Sequence, residues 1–351
     1  MCERGVSCKR RWYTNRVRQL DQRKFRWSLS AAWCVQPCMT SLPTDEHGIV
    51  YRHACIAAGF TDDELRKARR SGAIVPLVRG AFVTTADRSR AEMHRLAVIA
   101  THQFGRFGTA VPSHQSAATL HRLPMLKPNL QRLHTTTGKA VNGSRTSTRH
   151  DHVGTIPDEQ MTTVDGIDVA TIERTAVDVA CTSSMGFPGA FAIFNSALRA
   201  GADRSTMVEI LRTQRRGVAV ARRALHHANG EAENPGEAWS HAVMIEAGLP
   251  TPRQQHEFFD DDRRFVARTD FDWAGKLVGE FDGRIKYMKY LRPGEQPADA
   301  VIREKKREDT LRRMGVMVVR WVWDDLEQGR VAAMLTEWLV TLALMAPRHS
   351  A

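Results

Sequence analysis

No run of about 18 consecutive apolar residues, the length a helix needs to span a bilayer, occurs in the chain. The nearest approach, Val331 to Met345, is broken by Thr336 and Glu337 and reads as a terminal amphipathic helix. No membrane association is therefore expected. A glycine-rich phosphate loop and a nucleophile elbow are also missing, which leaves nucleotide-dependent and acyl-transfer chemistry without support. Cysteine is scarce: six in 351 residues, with Cys2, Cys8, Cys34 and Cys38 near the N-terminus and only Cys55 and Cys181 in the body. The early pairs have no second compact pair of ligands downstream. Free thiols in a reducing compartment are expected rather than a zinc site. The basic N-terminus before Trp27 and Trp33 imitates a signal peptide in charge alone: its apolar run is short and bulky, and no small-residue cleavage site follows. The expectation is a soluble, cytoplasmic protein.

What is present is enough chain for two or three domains with their own cores. Hydrophobic residues make up 42% and charged residues 26%. The net charge of +12 suggests an anionic partner, but it is uneven. Residues 1–40 hold nine Lys and Arg against Glu3 and Asp21, a net +7, which leaves +5 for the rest. Residues 1–45 read as a disordered basic tail, or in part as translated sequence ahead of a start at Met39.

Residues 46–88 read as helix, helix and β-wing. Thr61-Asp-Asp-Glu64 is a capping box that starts the second helix, and Gly72 ends it. Ile74–Val78 and Ala81–Val83 flank Arg79-Gly80 as a short hairpin. Three elements in so few residues have the size of a minimal winged helix-turn-helix. Arg66, Lys67, Arg69 and Arg70 cluster on the second helix, with Arg79 on the wing. Such a helix can enter a major groove while basic neighbours hold phosphates, and the competing reading is a solvated basic face.

Residues 89–229 read as mixed, with helices at 91–102 and 113–123, then strand-like runs at 133–136, 150–153 and 161–169. The last run holds Asp165-Gly166, a hairpin turn signal. His114 and His121, seven apart on one helical face, read as packed or solvent-facing rather than as ligands. The stretch 228–236 has linker or turn composition, and a domain boundary is expected there. Residues 235–346 then follow the order helix, three strands, helix, strand, helix.

The segment from Arg52-His-Ala-Cys-Ile-Ala-Ala-Gly through Gly80-Ala-Phe-Val, with Ser113-His-Gln-Ser-Ala-Ala118 and Val164-Asp-Gly-Ile…Asp178, resembles AbiEi-type antitoxins over roughly residues 48–230. Those are winged-helix repressors of type IV toxin–antitoxin systems. The resemblance implies double-stranded DNA as a partner more directly than it implies a toxin.

In the C-terminal part, strand alternation over Phe265 to Trp273 puts Phe265, Ala267, Thr269, Phe271 and Trp273 on one face. Val266, Arg268, Asp270 and Asp272 take the other. If Ala274-Gly275-Lys276 is a three-residue loop, Asp270 lies across from Glu280, and Arg268 across from Asp282. Facing carboxylates repel unless neutralised, and a divalent cation such as Mg²⁺ or Mn²⁺ does this well. An acidic solvated face with Arg268 as counter-ion is the alternative.

Glu237-Ala-Trp-Ser, Arg268-Thr-Asp270-Phe, Val278-Gly-Glu280-Phe-Asp282-Gly283 and Glu304…Arg307…Asp309 together resemble the Vsr-like branch of the PD-(D/E)XK nuclease superfamily over about residues 235–326. The resemblance implies a restriction-endonuclease-like α/β domain. Asp270 would then be the motif aspartate, Glu280 the motif acid, and Glu237 the acid of the first helix. Asp282 stands where the superfamily has its lysine, and Lys286 where the branch commonly has a histidine.

The architecture expected is thus multidomain, α+β followed by α/β. The function expected is DNA binding joined to a Mg²⁺-dependent endonuclease: Asp270, Glu280 and Asp282 for the metal, Lys286 to stabilise charge, Glu237 to orient a ligand or water. The alternative is a non-catalytic repressor or antitoxin on a degenerate nuclease fold.

Overall fold

The structure, a computed structural model, describes residues 41–138, 143–283 and 296–347. The basic tail up to residue 40, with its four cysteines and Met39, lies outside the described residues, as does Lys286.

The first group of elements is β1 (Ile49–Tyr51), α1 (Arg52–Ala57), α2 (Asp62–Arg70), β2 (Ile74–Val78) and β3 (Ala81–Thr84), with the strands in the order β1-β3-β2. Helix α2 starts where the capping box requires. The Thr61 side chain accepts from the Glu64 amide at 3.2 Å, and Glu64 accepts from the Thr61 amide at 2.7 Å. Gly80, at φ 87°, turns the β2–β3 hairpin.

Next come α3 (Arg90–Gln103), β4 (Val111–Pro112), α4 (His114–Leu120), β5 (Leu133–Thr136) and β6 (Arg149–His152). Strands β4, β5 and β6 form one sheet, with β5 and β6 parallel. The hairpin of β7 (Met161–Val164) and β8 (Ile167–Ala170) follows. Asp165 at φ 51° and Gly166 at φ 72° make its two-residue turn. Helices α5 (Ile172–Thr182), α6 (Gly186–Arg199), α7 (Arg204–Ile210) and α8 (Val218–His227) complete the middle region.

The C-terminal part runs α9 (Pro235–Glu246), β9 (Arg253–Phe259), β10 (Phe265–Trp273), β11 (Leu277–Phe281), α10 (Pro297–Arg313), β12 (Met317–Trp321), α11 (Trp323–Glu327) and α12 (Val331–Thr341). Its sheet has the order β12-β11-β10-β9, antiparallel except that β11 and β12 are parallel. Among the described residues no helix is long and apolar enough to cross a membrane.

The stretch 228–236 is a fastened turn rather than a loose linker. Ala228 and Ala232 are buried, and the Asn195 side chain accepts from the Gly230 amide at 2.9 Å. One apolar cluster runs from Val177 and Phe191 on α5 and α6 through Trp239 on α9 to Phe271, Trp321 and Leu339. A composition break therefore does not mark a break in the core. Central to this cluster, Trp321 donates its indole N–H to Ser240 Oγ at 2.7 Å. A Cβ on Gly279 would stand 2.5 Å from the Trp321 ring, so glycine is the residue that lets the indole lie on β11.

His241 of α9 sits in the same core, 5% exposed, edge-on to Phe191. Burial lowers its pKa to about 4, opposed by a hydrogen bond to the Gln254 side chain. In the unfolded chain histidine titrates near 6.5. The unfolded state thus binds the extra proton between those values, so stability is full above about pH 6.5 and falls as pH drops towards 4. The slope is about 1.4 kcal/mol per pH unit for one proton. Urea unfolding at pH 7 and pH 5 should show His241→Met losing less stability on acidification than the parent; equal losses would put the acid sensitivity elsewhere.

Candidate functional site

The β10–β11 hairpin closes as its sequence predicts. Ala274 at φ 54° and Gly275 at φ 69° form the turn, and Asp272 Oδ1 accepts from the Gly275 amide at 2.9 Å. The ladder pairs Trp273 with Leu277 and Phe271 with Gly279. One step further along stand Asp270 and Glu280. Asp270 Oδ2 accepts from the Phe281 amide at 2.8 Å, so this carboxylate replaces a ladder bond at the end of β11. Glu280 is matched on its other side by Arg320, its parallel partner on β12.

Glu280 is held by two arginines. Arg307 Nη2 donates to its oxygens at 2.8 and 2.9 Å, and Arg320 Nε donates to Oε2 at 2.9 Å. Arg320 also donates to Glu308 Oε2 at 2.6 Å. Glu237, 2% exposed, lies in the first turn of α9. Its Oε2 accepts from the Glu233 amide at 2.7 Å and from Gln255 Nε2 at 3.1 Å. Gln255 is bent to φ 50° in the middle of β9, and pairing lapses at the point opposite Asp270. A non-glycine residue held in this region costs free energy, and such strain concentrates at functional sites.

The expected alternation is interrupted on β10 itself, where pairing shifts register between Phe265 and Ala267 and Phe265 is left exposed. Ala267 packs with Phe258, Val278 and Leu311, whereas Phe271 packs with Leu277, Phe281 and Trp321. One face therefore does not run unbroken along β10. Nor is Arg268 the counter-ion across from Asp282: it donates to Glu233 Oε1 at 2.7 Å. Asp272 is spent on structure, fully buried and paired with Arg253. Among the described residues Asp270, Glu280 and Asp282 do not close into a three-carboxylate nest.

At the other end of the chain, Lys67, Arg69 and Arg70 are in the last turn of α2, where they also complement the helix dipole. Arg66 pairs with Asp63, and the Arg69 guanidinium lies 5.7 Å from the Phe82 ring centre. Arg79 is exposed on the β2–β3 turn, and its carbonyl accepts from Arg106 at 2.9 Å. Beside it is a cleft of about 910 Å³ lined by Arg79, Arg88, Arg90, Arg106, Arg132 and Arg149, with no Asp or Glu in its lining. Sequence reasoning missed this cleft because its arginines are spread over some seventy positions. Only the packing of β2, α3 and β6 gathers them.

Histidines also converge. His134 on β5 and His150 and His152 on β6 bring one ring nitrogen each to within 4.8 Å of one another. His114 stacks on His152, ring centres 3.5 Å apart at 11°. His114 is thus packed, 7% exposed, as its place on the helix led one to expect, but against other histidines. His121 stands apart, its Nε2 bonded to the Ala170 carbonyl at 2.7 Å. The available signal was the His-Asp-His alternation at 150–152 on a strand.

No protein-family model matches the chain. It is similar to two proteins of Mycobacterium tuberculosis described as uncharacterized, MT2308 and Rv2248, at 33% identity over 171 residues. That match takes in 47% of this chain and 59% of each relative, so the chain spans about three fifths of their length. Among solved structures, the RV2827C protein of the same organism is similar at a TM-score of 0.35 and 13% identity, covering 63% of this chain and 85% of that one.

Proposed function

We propose that the protein binds double-stranded DNA and carries a Mg²⁺-dependent endonuclease-like site at Asp270 and Glu280. The observation that carries the reading is the position of these two carboxylates, one step beyond the Phe271–Gly279 pair that closes the β10–β11 ladder, in a sheet flanked in sequence by α9 and α10. The helix, three strands, helix, strand order is the one the resemblance to PD-(D/E)XK nucleases implies.

The donor set fits the cation. Mg²⁺ takes hard oxygen ligands and is commonly held by one or two carboxylates, with water and substrate phosphate completing the shell. Glu280 can accept from arginines and still coordinate, because a carboxylate offers about four acceptor sites. A bound cation would supply Lewis-acid stabilisation to a phosphodiester. Arg307 and Arg320 bring fixed positive charge to Glu280, where the motif lysine is missing, and can hold phosphate oxygens. Glu237 and Gln255 orient the strand beside Asp270.

DNA contact is assigned to α2 and Arg79, and the arginine cleft supports an anionic partner with six arginines, of which Arg149 is paired with Asp151, and no acid in its lining. Replacing Arg69 and Arg70 together by Ala should weaken duplex binding and flatten the slope of affinity against salt by up to about two charges. An unchanged slope would place the DNA surface elsewhere.

The cleavage reading is tested by incubating supercoiled plasmid with the protein and Mg²⁺ or Mn²⁺. Nicking that EDTA abolishes is expected. Intact plasmid with folded protein favours the second reading, a DNA-binding repressor or antitoxin. The double arginine pairing favours that reading, since it neutralises Glu280 without any metal.

A further inference from the structure

We propose that His134, His150 and His152 form a binding site for one divalent transition-metal ion, zinc above all, separate from the carboxylates of the C-terminal sheet. The parallel register of β5 and β6 sets His134 directly beside His150. Strand alternation then returns His152 to the same side as His150. Three imidazoles are gathered by backbone geometry alone, with His134 Nδ1 and His152 Nε2 2.9 Å apart.

The chemistry of the set selects the metal class. Imidazole suits zinc, copper and nickel, whereas Mg²⁺ and Ca²⁺ require oxygen ligands. Histidine ligates as the neutral ring. Burial and the mutual repulsion of the rings keep these rings neutral, with His134 and His152 both lowered to about 3. Three protein ligands leave a fourth tetrahedral position open, the arrangement of reactive rather than purely structural zinc sites. The three histidines are half-buried, so that position is reached from solvent. Arg132 and Arg145 lie near enough to influence His150, which favours an anion as the fourth ligand.

The surroundings look built to hold the rings. His114 lies flat on His152, and its Nδ1 is 3.0 Å from Ser113 Oγ, which accepts from Thr136 Oγ1 at 2.9 Å. His114 itself sits at φ 51°, a backbone conformation a histidine adopts at a cost. These bonds fix His114, and the stacked His114 ring in turn packs against the His152 ligand.

The experiment is a Co²⁺ titration of full-length protein freed of metal by a chelator. One equivalent per chain is expected to bind and to give the visible absorption of four-coordinate Co²⁺, which Zn²⁺ then bleaches. His150→Gln and His134→Gln should each weaken binding by about 100-fold or more. His226→Gln, on the exposed face of α8, should bind as the parent does. Circular dichroism checks that His150→Gln keeps the fold, its half-buried ring lying on the second strand of a sheet. Excess Co²⁺ giving no such spectrum overturns the proposal, and so does undiminished binding in folded His150→Gln.

Discussion

Asp178→Ala is expected to lose about 3–5 kcal/mol of folding stability, the cost of breaking a buried ion pair from one side. The Asp178 side chain is 2% exposed and grips two arginines at once. Its Oδ2 accepts from Arg174 Nε and its Oδ1 from Arg215 Nη1, each at 2.8 Å. Burial pushes its pKa up and the arginines draw it back. Arg174 reaches on to the Gln160 side chain at 2.9 Å, and Arg215 to the Ile210 carbonyl at 3.4 Å. One carboxylate thus ties α5 to the segment before β7 and to the end of α7. Removing it leaves two cations with their bonds unmade in a partly dry site. Asp178→Asn keeps the shape and one acceptor and should lose less. Urea unfolding of the two variants gives the comparison. A loss below about 1 kcal/mol for Asp178→Ala would mean that water replaces the carboxylate freely.

Glu280→Gln is expected to lower metal-dependent cleavage by about 100-fold or more, the scale seen when one preorganised charge is taken from a site. The amide keeps an acceptor for Arg307 or Arg320 but cannot balance a dication. Its carbonyl still fits between β10 and β12, so the melting temperature should move little by comparison. Asp270→Asn should give the same loss by a different route, because that residue also accepts from the Phe281 amide. A variant that melts normally and cleaves at the parent rate would remove Glu280 from the site.

Much of the scaffold was legible because local chemistry dictated it. The capping box at Thr61 and Glu64, the Asp165-Gly166 turn and the Ala274-Gly275 turn each rest on residues within a few positions of one another. Once the second hairpin is fixed, placing Asp270 beside Glu280 requires counting and nothing more. The counter-ions were not legible in the same way. Arg320 reaches Glu280 through a parallel pairing set by a long crossover, and Arg268 pairs with Glu233 on the segment before α9. The histidine group was hidden for a related reason. His114, His134 and the pair at 150 and 152 come together only when α4, β5 and β6 assemble. Periodicity within one element could not reveal it.

Asp270 and Glu280 are proposed to hold the cation beside DNA. The most direct measurement is the anomalous X-ray signal of Mn²⁺ in crystals of the protein grown with a DNA duplex. A peak touching both carboxylates and a phosphate oxygen is the expected result. Bound duplex with those carboxylates still engaged only by their amide and arginine partners, and Mn²⁺ at the histidines or nowhere, would contradict it.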